Sequence, residues 1–318
     1  MKPFNVFPYG SNFNFMRMRW VSLTVAALIM FVAIGAMVVK GFDFALDFTG
    51  GTSAELSFSK PVSVDQVRER LTAAGYEGAQ VQTLGTGNSL LIRLQSKPGV
   101  SQHDTSRTVD EVVRIASSAE NPAKVMSSGY VGPQVGKELA LNGIYAVLFV
   151  VVGFLVYISA RFEWKFAIAA TITTMHDVVV VAGWFAITGH EFDLTVLAGV
   201  LSVMGFSIND TIVVFDRVRE NFRGMRASPE EVLNKSINQT LSRTVITSFV
   251  AFLTVLALYL YGGDSLKGMA ESMMIGIIIG TLSSIFVACP LLTMSFMKVT
   301  KQDLMPKAKD EAALARRP

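Results

Sequence analysis

The chain has 318 residues, 51% hydrophobic and 17% charged, with mean hydropathy +0.45 and a net charge of +3. Soluble domains carry about 25% charge, so this composition argues against a cytosolic enzyme and against disorder; the small positive balance gives no expectation of nucleic acid. A single cysteine excludes a disulfide framework within the chain, and three scattered histidines exclude an obvious zinc cluster, so no metal or cofactor is expected.

Runs with almost no charge, long enough to cross a ~30 Å hydrocarbon core, predict six membrane spans, the third interrupted by His176 and Asp177 and the fourth by Asp210. After a leader at 1–20 they fall at 21–39, 139–160, 166–188, 194–215, 244–263 and 269–297. The last, uncharged from 272 to 297, is long enough to tilt. The first could be a cleaved signal peptide, but its 20-residue leader and long apolar run favour an uncleaved anchor. Short flanks on one side of the bilayer hold seventeen Lys and Arg, against one (Lys267) on the other. The positive-inside rule then puts both termini in the cytoplasm.

Residues 41–138 form the one large extramembrane piece, expected outside, with 9 Lys or Arg and 11 Asp or Glu. Ala54, Leu56 and Phe58 alternate with polar residues as in a strand. Ser63 caps a helix to Ala74, closed by Gly75, with Val64, Val67 and Leu71 on one face. Residues 80–83 and 90–94 flank a turn at 85–88, a second helix covers about 104–118, and 124–128 is a last strand. The order βαββαβ predicts a small α+β domain of ferredoxin-like type on a six-helix, all-α membrane bundle. Residues 216–243 read as a cytoplasmic amphipathic helix with its cap at Ser228, and 298–318 as a cytoplasmic tail.

No P-loop, G-x-S-x-G or H-E-x-x-H motif occurs, so the chain is not expected to be an enzyme. The chemistry sits at membrane depth, where ionisable groups are costly and mark function. Asp210 lies near the end of span four with Asn209 beside it, and Arg243 opens span five at similar depth, close enough to meet across neighbouring helices. Such a pair suits a proton relay, or a static bridge locking two helices. Arg243, Thr247, Ala251 and Thr254 share one face of span five. In span three Asp177 and His176 form a second proton station or a satisfied structural pair. Gly276, Gly280 and Ser284 make a small-residue stripe for close helix packing, and Cys289 reads as buried.

Four stretches then carry a resemblance. They are Gly41-Phe42-Asp43-Phe44-Ala45-Leu46-Asp47-Phe48-Thr49-Gly50-Gly51-Thr52, Val131-Gly132-Pro133-Gln134-Val135-Gly136, residues 207–221 from Ser207-Ile208-Asn209-Asp210 to Glu220-Asn221, and Gln239-Thr240-Leu241-Ser242-Arg243-Thr244. With Phe162-Glu163-Trp164 and His176-Asp177-Val178, they resemble the SecD/SecF family of Sec translocase subunits over about residues 15–297. The resemblance implies a fold of the resistance-nodulation-division type, with two six-helix halves pairing. Its implied partners are SecD, the SecYEG channel, YajC, SecA indirectly, the preprotein and membrane lipid. It implies use of the proton motive force in export across the bacterial inner membrane, with Asp210 and Arg243 as the membrane acid and arginine. Asp47, Gly50 and Gly51 fall at the hinge between span one and the external domain. Two rivals are a half-size exporter of the same superfamily and a non-energised scaffold. The five-residue loop between spans three and four leaves this chain no second external domain.

Overall fold

A computed structural model describes residues 12–76, 78–84, 88–95, 105–118, 120–297 and 299. Six of its helices are long and apolar enough to cross a bilayer: Phe15–Val39, Pro133–Arg161, Trp164–Thr188, Leu194–Gly224, Pro229–Tyr261 and Ser265–Leu291. The first includes a short 3-10 turn, Phe15–Met18, leading into α1 (Arg19–Val39). Between α1 and the second span stand α2 (Leu46–Thr49), β1 (Gly51–Phe58), α3 (Val64–Ala73), β2 (Gln80–Leu84), β3 (Ser89–Gln95), α4 (Thr105–Ala116) and β4 (Ala123–Val131). The remaining spans are α5 (Pro133–Arg161), α6 (Trp164–Thr188), α7 (Leu194–Gly224), α8 (Pro229–Tyr261) and α9 (Asp264–Ser283).

The sheet is antiparallel throughout, in the order β2-β3-β1-β4, so the βαββαβ expectation holds. Period-2 alternation sends Leu56, Leu90 and Ile92 to a core shared with Val67, Leu71 and Val112 of α3 and α4. β4 is longer than its predicted run and paired with β1 across a register shift at Glu55/Leu56. The expected turn at 85–87, the first residue of the predicted 104–118 helix and the tail beyond 299 lie outside the described residues.

Helix ends follow local chemistry. Pro133 and Pro229 start α5 and α8, where the missing N–H costs nothing. Ser228 and Glu231 close a capping box on α8. Gly189 ends α6 in the left-handed region, and the Asp193 carboxylate caps α7 by accepting from the Val196 N–H at 2.7 Å. The last span is interrupted: α9 passes into a π-helical turn, Ser284–Ala288, and then a short α-turn, Cys289–Leu291. Pro290 lacks the N–H that would continue an α-helical ladder, which accounts for the widened turn.

α6, α7 and α9 form the buried centre, while α1, α5 and α8 are largely exposed. The small-residue stripe does what its spacing suggests. A Cβ on Gly276 would collide with Val203, and one on Gly280 would sit 3.2 Å from Ser207 Cβ, so α9 lies flush on α7. Cys289 is fully buried.

The reading of 216–243 as a separate amphipathic helix is corrected. Those residues are the ends of α7 and α8 continuing past the spans, joined by a short turn. Val218 and Phe222 of α7 pack with Leu233 and Ile237 of α8, and all four are buried. The backbone N–H groups of Phe13 and Phe15 donate to Asn238 and Asn234 at 2.9 and 2.7 Å, strapping the N-terminal segment to this hairpin, and Arg19 pairs with Glu230.

Candidate functional site

Among the described residues, two carboxylates are buried inside the helix bundle. Asp177 of α6 is wholly buried, and its Oδ2 accepts from Ser207 Oγ of α7 at 2.5 Å and Ser283 Oγ of α9 at 2.7 Å. One acid therefore ties the three central helices together. Its Oδ1 faces Nδ1 of His176 at 3.0 Å, while His176 Nε2 is buried without a partner. With Asp177 ionised, a neutral His176 donates through Nδ1 and keeps a free lone pair on Nε2.

Asp210 of α7, 3% exposed, accepts from Ser248 Oγ of α8 at 3.4 Å. Ser248 in turn accepts from Thr281 Oγ1 of α9 at 2.7 Å. Ser207 and Asp210 are three residues apart on α7 and share a face. Thr281 and Ser283 both lie on α9, two residues apart, and face different partners. The two acids thus belong to one polar seam through α6, α7, α8 and α9. The hydroxyls of Thr174, Thr211 and Thr244 are buried with no partner and add unused hydrogen-bonding capacity to the same helices.

The expected contact between Asp210 and Arg243 is corrected. Arg243 is exposed, and no ion pair joins the two among the described residues. They interact only through space. The reason is helical phase. α8 turns Thr244 and Ser248 inward and leaves Arg243, Thr247 and Thr254 on its outer surface, so the inward face is one residue along from the predicted one. Asn209 is likewise exposed, on α7. His176 and Asp177 meet each other as well as the bundle.

The predicted hinge is a packed corner. Gly50 has φ +72°, where a Cβ would lie 2.8 Å from Pro133 Cα; Gly51 has φ +144° and lies against Leu46 and Leu94. Gly136 of α5 closes on the same corner, a Cβ there meeting Phe48 O at 3.0 Å. The sheet domain is therefore seated on the root of α5.

A second attachment lies at the loop between α6 and α7. Phe44 and Phe192 form a parallel β-bridge, with the Phe192 N–H on Asp43 O at 2.7 Å and the Ala45 N–H on Phe192 O at 3.0 Å. Phe42, Phe44, Phe48 and Phe192 stack around it. The Leu194 N–H donates to Asp47 at 3.3 Å, and Gln80 Nε2 donates to Asp43 at 2.6 Å. Arg93 of β3 pairs with Glu191, their side chains 13% and 18% exposed.

Burial raises the Glu191 carboxyl above its ordinary value of 4.5; Arg93 opposes this, and Asp193 and Asp43 add to it. The closed contact therefore holds a proton more tightly than an open one. It is favoured most below 4.5 and loses strength as pH rises through the raised value. Spin labels on β3 and on the 189–193 loop should report a narrower, shorter distance distribution on acidification, and Glu191→Gln should remove that pH dependence.

Comparisons place this geometry in a family. Residues 112–298 match the profile described as "Protein export membrane protein SecD/SecF, C-terminal", and residues 35–62 match "SecD/SecF GG Motif". The chain belongs to the SecD/SecF family of membrane proteins. It is 43% identical to the protein translocase subunit SecF of Pseudomonas aeruginosa, covering 93% of this chain and 95% of that one. It is 39% identical to the SecF of Escherichia coli O157:H7, covering 95% and 93%. The crystal structure of SecDF from Thermus thermophilus, described as a translocon-associated membrane protein, superposes with a TM-score of 0.80 at 36% identity, over 89% of this chain and 38% of that longer one. The chain is thus a multi-pass protein of the bacterial inner membrane.

Sequence reading singled out both acids but not Ser248, Thr281, Ser283, Arg93 or Glu191. For Ser283 the nearest signal was the stripe ending at its neighbour Ser284.

Proposed function

We propose that the chain is an accessory subunit of the Sec preprotein translocase that pairs with SecD and uses the proton motive force to promote export, acting with the SecYEG channel. The observation that carries this is the buried pair of acids, Asp177 and Asp210, each approached by hydroxyls of other helices. A hydroxyl donates to a carboxylate and accepts from a carboxylic acid, so such surroundings serve both protonation states. A fixed salt bridge would serve one. Burial at membrane depth gives each proton transfer a large electrostatic consequence for the helices around it.

Pairing with SecD is supported by relatives in which both names are joined. One is the SecDF of Brucella abortus, 35% identical over 93% of this chain and 39% of that one. It is also supported by Asn209 and Arg243, exposed on the bundle surface at membrane depth. Polar groups facing hydrocarbon are costly, and partner helices relieve that cost. The distribution of Lys and Arg supports cytoplasmic termini and an external sheet domain. YajC, SecA, the preprotein and lipid remain within the same reading as partners implied by the family.

A cysteine at Asn209 should crosslink to SecD in native membranes, and one at Ile172, exposed on α6, should not. Equal labelling at both positions would contradict the assigned face.

A further inference from the structure

Among the described residues, the external domain touches the membrane bundle at two places that differ in kind. One is the corner at Gly50, Gly51 and Gly136, which joins the domain to the root of α5. α5 itself is barely buried and stands apart from the polar seam. The other is the contact with residues 189–194, which lead directly into α7. α7 is one continuous helix of 31 residues and carries both Ser207 and Asp210. Leu194 lies 16 residues before Asp210, about 24 Å along the helix at ~1.5 Å per residue.

From this arrangement we infer that the contact between Arg93 and Glu191, with the Phe44–Phe192 bridge beside it, transmits displacement of α7 to the external domain. The domain rests on α5 and is gripped by the head of α7, so a shift of α7 relative to α5 tilts it. Arg93 is well placed to carry that motion. It lies on β3, opposite Ser53 of β1 and Gln80 of β2, so a pull on its guanidinium is spread across three strands. Its neighbours Ile92 and Leu94 point into the domain core, so Arg93 projects from the other face of the sheet. Asp47 holds the first N–H of α7 and Asp193 caps the same helix, which fixes the helix end to the loop that bears Glu191. Arg93 and Glu191 are positioning residues that act through α7.

The inference rests on the proton-coupled reading and is separable from it. The full chain, reconstituted with SecD and SecYEG in vesicles, is assayed for proton flux and for gradient-stimulated export. Arg93→Glu places two acids at the contact. Stimulated export should fall about tenfold or more, within the range of coupling between linked sites, while proton flux stays at the wild-type level. Arg93→Glu combined with Glu191→Arg restores opposite charges and should restore export. Unchanged export in Arg93→Glu, equal loss of flux and export, or failure of the charge exchange to restore export would each overturn the inference. A merely structural contact would lower flux and export together. If Asp210→Asn left proton flux intact in the same vesicles, the proton-coupled reading itself would fail, whatever Arg93 does.

Discussion

Asp210→Asn will abolish the part of preprotein export that depends on a proton gradient, while the chain still inserts and pairs. Asparagine fills nearly the same volume and keeps an oxygen within reach of Ser248, whose hydroxyl also has the Thr244 carbonyl at 2.7 Å, so the packing of α7 on α8 survives. It cannot exchange a proton. With the gradient collapsed, variant and wild type should export at the same residual rate. With the gradient imposed, only the wild type should accelerate. Inverted membrane vesicles report both conditions directly. A static lock predicts the opposite pattern: little change with asparagine, because its geometry is kept.

Asp177→Ala should show the largest loss of stability. The carboxylate is wholly buried and receives two hydroxyl donors, from Ser207 and Ser283. Each hydrogen bond to a charged acceptor contributes about 1.5–3 kcal/mol in soluble proteins, and interhelical bonds in membranes average nearer ~0.6 kcal/mol. Removing both, and leaving the Ser207 hydroxyl and His176 without a partner while Ser283 falls back on the Gly280 carbonyl, should cost on the order of 2–4 kcal/mol. Thermal unfolding of the purified chain in detergent would measure it. Asp177→Asn retains an acceptor oxygen and should lose less. If alanine and asparagine lose the same amount, the two hydroxyl bonds do not hold the central helices together.

The architecture was readable because its signals are local. Runs with almost no charge mark the spans, and alternation at Ala54, Leu56 and Phe58 marks a strand whose inward face is the domain core. The packed hairpin beyond the spans was missed because charges such as Arg217, Arg219 and Arg223 dominate 216–243. The spacing of Val218 with Phe222 and of Leu233 with Ile237 carried the signal for it. Asp177 and Asp210 announce themselves as acids at depth, but their partners do not. A hydroxyl in a membrane helix usually bonds its own backbone four residues back, as Thr173, Ser202 and Thr254 do here. Nothing in the sequence separates those from Ser207 and Ser283, which reach across to Asp177. Arg243 was misplaced by one position of helical phase, about 100°, enough to move it from the seam to the surface. Arg93 and Glu191 are a strand residue and a loop residue 98 positions apart, joined only by tertiary structure.

On the proposed function, a buried acid on α7 takes up and releases the coupling proton. That exchange is tested most directly by infrared difference spectroscopy on the reconstituted chain with SecD, recorded as a pH step is imposed. A carboxylic-acid signal should appear and disappear with the step in the wild type and be absent in Asp210→Asn. A spectrum in which Asp210→Asn removes no titrating signal would contradict it.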